Sequence, residues 1–275
     1  MNVRRGSVGI IAVAMSVACG FLAFPSGASA DAGRIGYAGP ASGVIQTGSI
    51  RSASQQFTSR NWDGYITYVS SHGTDFKSVK ATWVQPKVTC EVANAWTVFW
   101  VGLDGWWNGT VEQGGSEAYC PTKGGAPSYA LWWEMFPTNS IQTVLTIGAG
   151  DTITASVTYA SATSKFTIVV NDVTSGHSFT RHEVCGSGLV CDRSSADVIT
   201  EDVGHSGGGF FPLAKYGTMG YTSAGATDTA NRAGSISGTH WLNAAVTEKS
   251  GAITYATVSA LSAGGTAFHA TWKHK

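Results

Sequence analysis

Residues 140–184 read SIQTVLTIGAGDTITASVTYASATSKFTIVVNDVTSGHSFTRHEV. The stretch divides into four β-rich runs, 140–147, 152–159, 165–171 and 177–184. They are separated by Gly-Ala-Gly-Asp at 148–151, Ser-Ala-Thr-Ser at 161–164 and a 172–176 segment ending in Gly176. Turn chemistry at this spacing between β-branched runs predicts hairpins, so the four runs are expected as antiparallel neighbours. Outward from this meander the same texture continues, upstream at 64–70, 78–84, 95–102, 110–113 and 129–136, and downstream at 196–201, 216–222, 235–242 and 267–273. No long stretch carries a 3.6-residue apolar period, and the connections are too short and too rich in glycine to hold crossover helices. The fold class expected is all-β, a sandwich of two antiparallel sheets.

The chain has 275 residues with equal numbers of basic and acidic side chains, 17 of each, and 43% hydrophobic residues. This balance excludes a disordered tail and a strongly basic nucleic-acid binder. Residues 1–30 read as a secretory signal peptide: a basic start with Arg4 and Arg5, an apolar run over 8–24, and Ala28-Ser29-Ala30 as a small-residue cleavage site. Residues 31–59, rich in Gly, Ala and Ser without periodicity, read as a linker or propeptide, leaving 60–275 as the β-sandwich domain. Four cysteines remain after the signal. Cys185 and Cys191 bracket a short loop and pair readily, which leaves Cys90 for Cys120. Paired metal-ligand spacings are absent, so no metal is expected.

Strand alternation decides which side chains share a face. In the run 129–136, Glu134 lies on the face of Trp132 and Phe136. If that face is covered, desolvation raises the carboxyl pKa and suits it to proton transfer. In 110–115, Gln113 shares a face with Val111 while Glu112 points the other way, and Gly114-Gly115 allows a ligand backbone to approach closely. A carboxamide offers both donor and acceptor, so it can orient a water and stabilise an oxyanion.

These segments and their neighbours resemble the glutamic peptidase (eqolisin) family. Asn61-Trp62-Asp63-Gly64 is similar to the family's opening Asn-Trp-x-Gly, and Trp83-Val84-Gln85-Pro86 to its Trp-x-x-Pro strand. Trp100-Val101-Gly102-Leu103-Asp104-Gly105 resembles Trp-Val-Gly-Ile-Asp-Gly, Gln113–Gly115 resembles Gln-x-Gly, and Tyr129–Pro137 resembles the strand carrying the glutamate. The resemblance implies a concanavalin-like sandwich and a peptidase without cofactor, with Glu134 as general base and then acid, and Gln113 positioning the water. Trp62, Trp100, Asp104, Glu117 and Glu201 are the second group it implies, shaping the cleft or tuning Glu134. Gly114 stands where the family commonly has threonine and Val198 where it commonly has tryptophan. Both departures are expected to bear on substrate preference. The resemblance implies polypeptide substrates; we further expect a secreted monomer with neither a nucleic-acid partner nor membrane association after signal cleavage.

A carboxyl that serves as both base and acid works best near its own pKa, so an acidic optimum is expected. Other readings compete. Gly204-His205-Ser206-Gly207-Gly208 matches the Gly-x-Ser-x-Gly elbow of serine hydrolases but lacks a following helix, and reads as a loop. A glycosidase would use two of Glu112, Glu117 and Glu134, yet the position facing Glu134 is an amide and cannot be a nucleophile. A lectin-like module would use Trp106-Trp107-Asn108-Gly109 as a stacking platform.

Overall fold

The computed structural model describes residues 55–262 and 264–274. The signal-peptide reading and the linker up to residue 54 lie outside the described residues. Sixteen strands follow one another among them: β1 (Gln55–Ser59), β2 (Trp62–Tyr68), β3 (Phe76–Val84), β4 (Ala95–Leu103), β5 (Val111–Cys120), β6 (Ser128–Phe136), β7 (Gln142–Thr146) and β8 (Thr152–Ala160). The second half contains β9 (Lys165–Asp172), β10 (His177–Glu183), β11 (Ser195–Asp202), β12 (Thr218–Asp228), β13 (Ala233–Ser235), β14 (Leu242–Ser250), β15 (Ile253–Val258) and β16 (Phe268–Trp272).

The protein is an all-β sandwich. One layer runs β14-β2-β11-β4-β5-β6-β7 and the other β10-β9-β8-β3-β12, with β16 and β15 carrying the hydrogen bonding from β12 across to β14. The two sheets expected from the sequence are therefore one nearly closed ribbon folded over itself. It is not wholly antiparallel, because β1 pairs in parallel with β14.

Alternation sorts the first layer's side chains into two cores. One face sends Tyr65, Phe99, Val101, Leu103, Leu131 and Val198 against Val79, Trp83, Ile153, Ile168 and Tyr221 of the second layer. The opposite face carries a separate aromatic cluster that includes Phe57, Trp62, Trp96, Trp100, Trp106 and Trp132. Burying aromatic side chains on both faces explains why β4 is buried along its whole length instead of alternating.

Three expectations need correction. The linker does not reach residue 59: Gln55–Ser59 is a strand, held by its pairing with β14 and by Phe57, which is buried against Trp106 at 5.4 Å. The four runs of 140–184 are not all neighbours. β8, β9 and β10 form consecutive hairpins, but β7 pairs with β6, so the Gly148–Asp151 turn passes between layers. No strand spans 235–242: the segment turns around Trp241, whose indole N–H donates to the carbonyls of Ser235 and Ile236. The cysteines pair as expected, Cys90 with Cys120 and Cys185 with Cys191.

Candidate active site

Gln113 on β5 and Glu134 on β6 are directly opposite one another in the antiparallel ladder. Their side chains project on the same face, and Gln113 Nε2 donates to Glu134 Oε2 at 2.7 Å. Both residues are fully buried. A carboxamide has two N–H groups and a carbonyl oxygen. One N–H is committed to Glu134, while Oε1 of Gln113 has no hydrogen-bond partner. The pair thus joins a carboxyl, a donor and an open acceptor at one point on the sheet.

The neighbouring glycines have a different purpose from the ligand approach expected of them. A Cβ on Gly114 would lie 2.6 Å from Ile168 Cγ2 of the second layer, and one on Gly115 would lie 1.9 Å from the carbonyl oxygen of Phe99. Their missing side chains let β9 and β4 close on β5. Gly114, Val101 and Val198 form one row on the face turned to the second layer. The positions where the chain departs from the glutamic peptidase pattern therefore concern interlayer packing and face away from the Gln113–Glu134 pair.

Trp100 and Glu201 lie on the same face as the pair. Trp100 stands opposite Gly115, and its Nε1 donates to Glu201 Oε2 at 2.9 Å. Glu201 Oε1 accepts from Asn61 Nδ2 at 2.9 Å. Burial pushes the Glu201 pKa up to about 8, with Trp62, Trp100 and Asn61 opposing the rise, so it is protonated throughout the acidic range. Trp62 is opposite Glu201 in the ladder and packs edge-on against Trp100, with ring centroids 5.1 Å apart. Glu117 shares the face but sits four residues along β5 from Gln113, about 13 Å away, where it accepts from Trp96 Nε1 at 2.9 Å.

Asp104 is not part of this face. It follows the end of β4 with φ +70°, and its carboxylate accepts from the backbone N–H groups of Arg193 and Ser194 at 2.6 and 2.7 Å and from Ser194 Oγ at 3.0 Å. It anchors the loop leading into β11, so the cleft-shaping role expected for it is replaced by a structural one.

Glu112 faces the second layer, opposite Leu103 and Met135, as the alternation requires. Trp106 is buried against Phe57 and Trp62. Trp107 stacks on His72 with centroids 3.9 Å apart, so this turn does not present two open rings as a platform. The 204–210 segment is a tight loop, with His205 and Gly209 hydrogen-bonded and no helix after Ser206.

Asp197 was missed at the level of sequence. Asp197 pairs with Gly102, and Gly102 pairs with Gln113, so Asp197, Gln113 and Glu134 fall in one row on one face. The available signal was parity: Asp197 and Glu201 are four apart in one strand and must share a face. Among the described residues no cluster of three or more His, Cys, Asp or Glu could hold a metal ion.

The model of the peptidase A4 family matches residues 60–267. Among solved structures, scytalidoglutamic peptidase bound to a peptide-based transition-state analogue aligns at 25% identity over 78% of this chain and 98% of its own, with a TM-score of 0.64. SCP-B, an eqolisin-family peptidase in complex with the tripeptide Ala-Ile-His, aligns at 24% identity over the same shares, with a TM-score of 0.63. Aspergilloglutamic peptidase from Aspergillus niger aligns at 23% identity over 65% of this chain and 99% of its own, with a TM-score of 0.54. None of the curated proteins compared with the chain matches it.

Proposed function

Since the chain belongs to the peptidase A4 family and is a glutamic peptidase, we propose that Gln113 and Glu134 are its catalytic pair and that it is a secreted endopeptidase working in acid. The observation carrying this reading is the cross-strand hydrogen bond from Gln113 Nε2 to Glu134 Oε2 at 2.7 Å.

The chemistry follows from the groups present. A water in reach of both side chains donates one hydrogen to the Glu134 carboxylate and the other to the open Oε1 of Gln113. Its lone pair is then directed at the carbonyl carbon of a bound peptide. As the C–O bond forms, Glu134 takes the water's proton, and the second N–H of Gln113 donates to the developing oxyanion. Such a fixed donor is worth roughly 3 kcal/mol at the transition state. Protonated Glu134 then gives its proton to the amide nitrogen, the C–N bond breaks, and acid and amine leave. The same carboxyl must be ionised before the first step and protonated before the second, which places the optimum in the acidic range.

Both side chains are buried in the full chain, so the face above them must be uncovered before a polypeptide can reach them. In our reading residues 1–30 direct export and the residues from 31 to before Gln55 are a linker or propeptide. Two disulfides fit an oxidising compartment. No helix among the described residues is long and apolar enough to cross a membrane.

The test is Glu134→Gln and Gln113→Ala, each assayed for folding and for hydrolysis of denatured protein at acidic pH. We expect both to fold. Glu134→Gln should abolish turnover, and Gln113→Ala should lower kcat by about 100-fold or more. A folded variant of either kind with full activity removes the mechanism. If the denatured protein is left intact by the wild type, the lectin-like alternative gains instead.

A further inference from the structure

Strand β11 ends at Asp202, whose backbone N–H donates to the carbonyl of Asn61 at 2.9 Å and so brings the strand end beside Arg60. A cavity of about 320 Å³ opens there, with Arg60, Asp202, Phe210, Phe211, Ser250 and Tyr255 in its lining. It is distinct from the Gln113–Glu134 site. Asp202 lies five residues beyond Asp197, the β11 member of the row that holds Gln113 and Glu134, about 17 Å along the strand. Asp202 is 7% exposed, and its Oδ1 has no hydrogen-bond partner. Its electrostatic neighbour Glu248 on β14 is fully buried, with neither carboxyl oxygen partnered. Buried carboxyl oxygens are normally hydrogen-bonded, so this end of the cavity lacks a donor. The Arg60 guanidinium does not supply it, because it lies over the Phe210 ring, 5.3 Å from the centroid.

We propose that this cavity binds a free α-amino acid, with its ammonium on Asp202, its carboxylate on Arg60 and its side chain against Phe210, Phe211 and Tyr255. The site does not depend on the reading of Gln113 and Glu134. A carboxyl and a guanidinium lining one small cavity between aromatic walls are matched by a zwitterion with an apolar side chain. The ammonium brings three donors to a carboxyl that has an open oxygen. Rotation about the last side-chain bond of an aspartate is soft and nearly two-fold, so Oδ1 can turn toward the cavity. The carboxylate takes the forked donors of the guanidinium. A volume at the lower end of the range for ligand pockets suits a single residue better than a polypeptide.

Proton and ammonium compete for the same carboxyl. Burial pushes the Asp202 pKa well up, and Glu201 raises it further; burial does the same to Glu248, with Asp202, Asp63 and Glu201 adding to the rise. The free protein therefore holds these carboxyls protonated in acid, and a bound ammonium displaces a proton. The other titratable or charged groups around them are Arg60 on the lining, Tyr255 on β15 with His274 packed against its ring, His205 against Phe211, and Tyr216, which donates to Asp63. Arg60 is the fixed cation on the lining and is matched by the ligand's own carboxylate. Affinity for the amino acid accordingly rises from acid toward neutral pH.

The experiment is calorimetric titration of the protein with L-phenylalanine, phenethylamine and 3-phenylpropionate at about pH 4 and about pH 7. Phenethylamine lacks the carboxylate and phenylpropionate lacks the ammonium. At neutral pH phenylalanine should bind at one site, about tenfold more tightly than phenethylamine, with phenylpropionate weaker still. Its affinity should fall about tenfold or more in acid, as the proton wins the carboxyl. In thermal melts phenylalanine should raise Tm at neutral pH and leave it unchanged in acid. Wild-type protein that shows no saturable binding of phenylalanine at neutral pH overturns the proposal, as does equal binding of all three probes.

Two variants locate the binding. Asp202→Asn has the size of the protonated acid and should fold; it should weaken phenylalanine about tenfold or more and remove the pH dependence. Arg60→Ala, at an exposed position, should bring phenylalanine down to the affinity of phenethylamine and leave phenethylamine unchanged. A folded Asp202→Asn that binds like the wild type overturns the site. Binding that survives Asp202→Asn but is lost in Glu134→Gln puts the amino acid at the peptidase site and overturns it equally.

Discussion

Gly114 and Val198 lie on the interlayer side of β5 and β11, in a row with Val101, where Ile168 and Val170 of β9 press against the glycine. Small side chains from one layer are matched there by branched ones from the other. Gly114→Thr would put a Cβ 2.6 Å from Ile168 Cγ2 and 3.0 Å from Val170 Cγ2. We expect overpacking to cost about 1–3 kcal/mol in chemical denaturation, with much of it recovered in Gly114→Thr combined with Ile168→Ala. Cleavage preference should not move, because the substituted side chain faces away from Glu134; a changed preference profile in the single variant would contradict this placement. Residue parity in the sequence was enough to set Gln113 and Glu134 on one face and Glu112 on the other. It did not show that Gly114 and Gly115 serve strand and layer contacts, since a glycine looks the same whether it makes room for a ligand or for a neighbouring strand. Asp104 illustrates a similar limit: its motif marks it as important, but only the long-range contact with residues 193–194 shows that its carboxylate holds a loop.

At the level of elements, β1 ties the start of the described chain to the face that carries Gln113 and Glu134. Phe57 buries its ring against Trp106, and Ser59 Oγ accepts from the backbone N–H of Trp62 at 3.2 Å. Asn61, two residues on from Ser59, holds Glu201. Phe57→Ala should therefore cost about 3 kcal/mol or more by urea denaturation, as for other buried phenylalanines. If acid incubation trims the chain, N-terminal sequencing should find the new terminus before Gln55; a stable, active product beginning at Arg60 would show that β1 is dispensable. Most of the strands were readable from β-branched runs between turn residues. β1, β14 and β15 were not, because their sequences QQFTS, LNAAVTEKS and ITYATV are short or diluted with small and charged residues, and their pairing partners supply the order. The placement of β7 beside β6 was also hidden, since the Gly148–Asp151 turn reads like a hairpin turn yet joins strands of different layers.

For the molecule as a whole, the decisive feature is the number of carboxyls inside it. Asp63, Glu112, Asp197, Asp202 and Glu248 are buried, and burial raises the pKa of each well above its ordinary value. Glu201 is pushed up to about 8 by the same cause. In the unfolded chain these groups would release their protons near pH 4. Between that pH and the folded pKa the native state binds more protons than the unfolded one, so stability falls as pH rises. The contribution is fully present below about pH 4 and is lost through the folded pKa, a window that for Glu201 runs from about 4 to about 8. Asp228 has the opposite sign: desolvation would raise its pKa, but the backbone and guanidinium of Arg232 hold it below the usual range. Its contribution is lost only as pH falls below about 4, and as a single pair whose guanidinium is half-exposed it is outweighed by six buried carboxyls. Thermal melts should therefore give a Tm that decreases steadily from pH 4 to pH 8, the reverse of a protein held by surface ion pairs. Glu201→Gln, uncharged at every pH, should flatten part of that decline while leaving the acid end little changed. A Tm that stays level or rises toward neutral pH would mean that these carboxyls are not held protonated in the folded state, and the link between the fold and the proposed acidic working range would be lost.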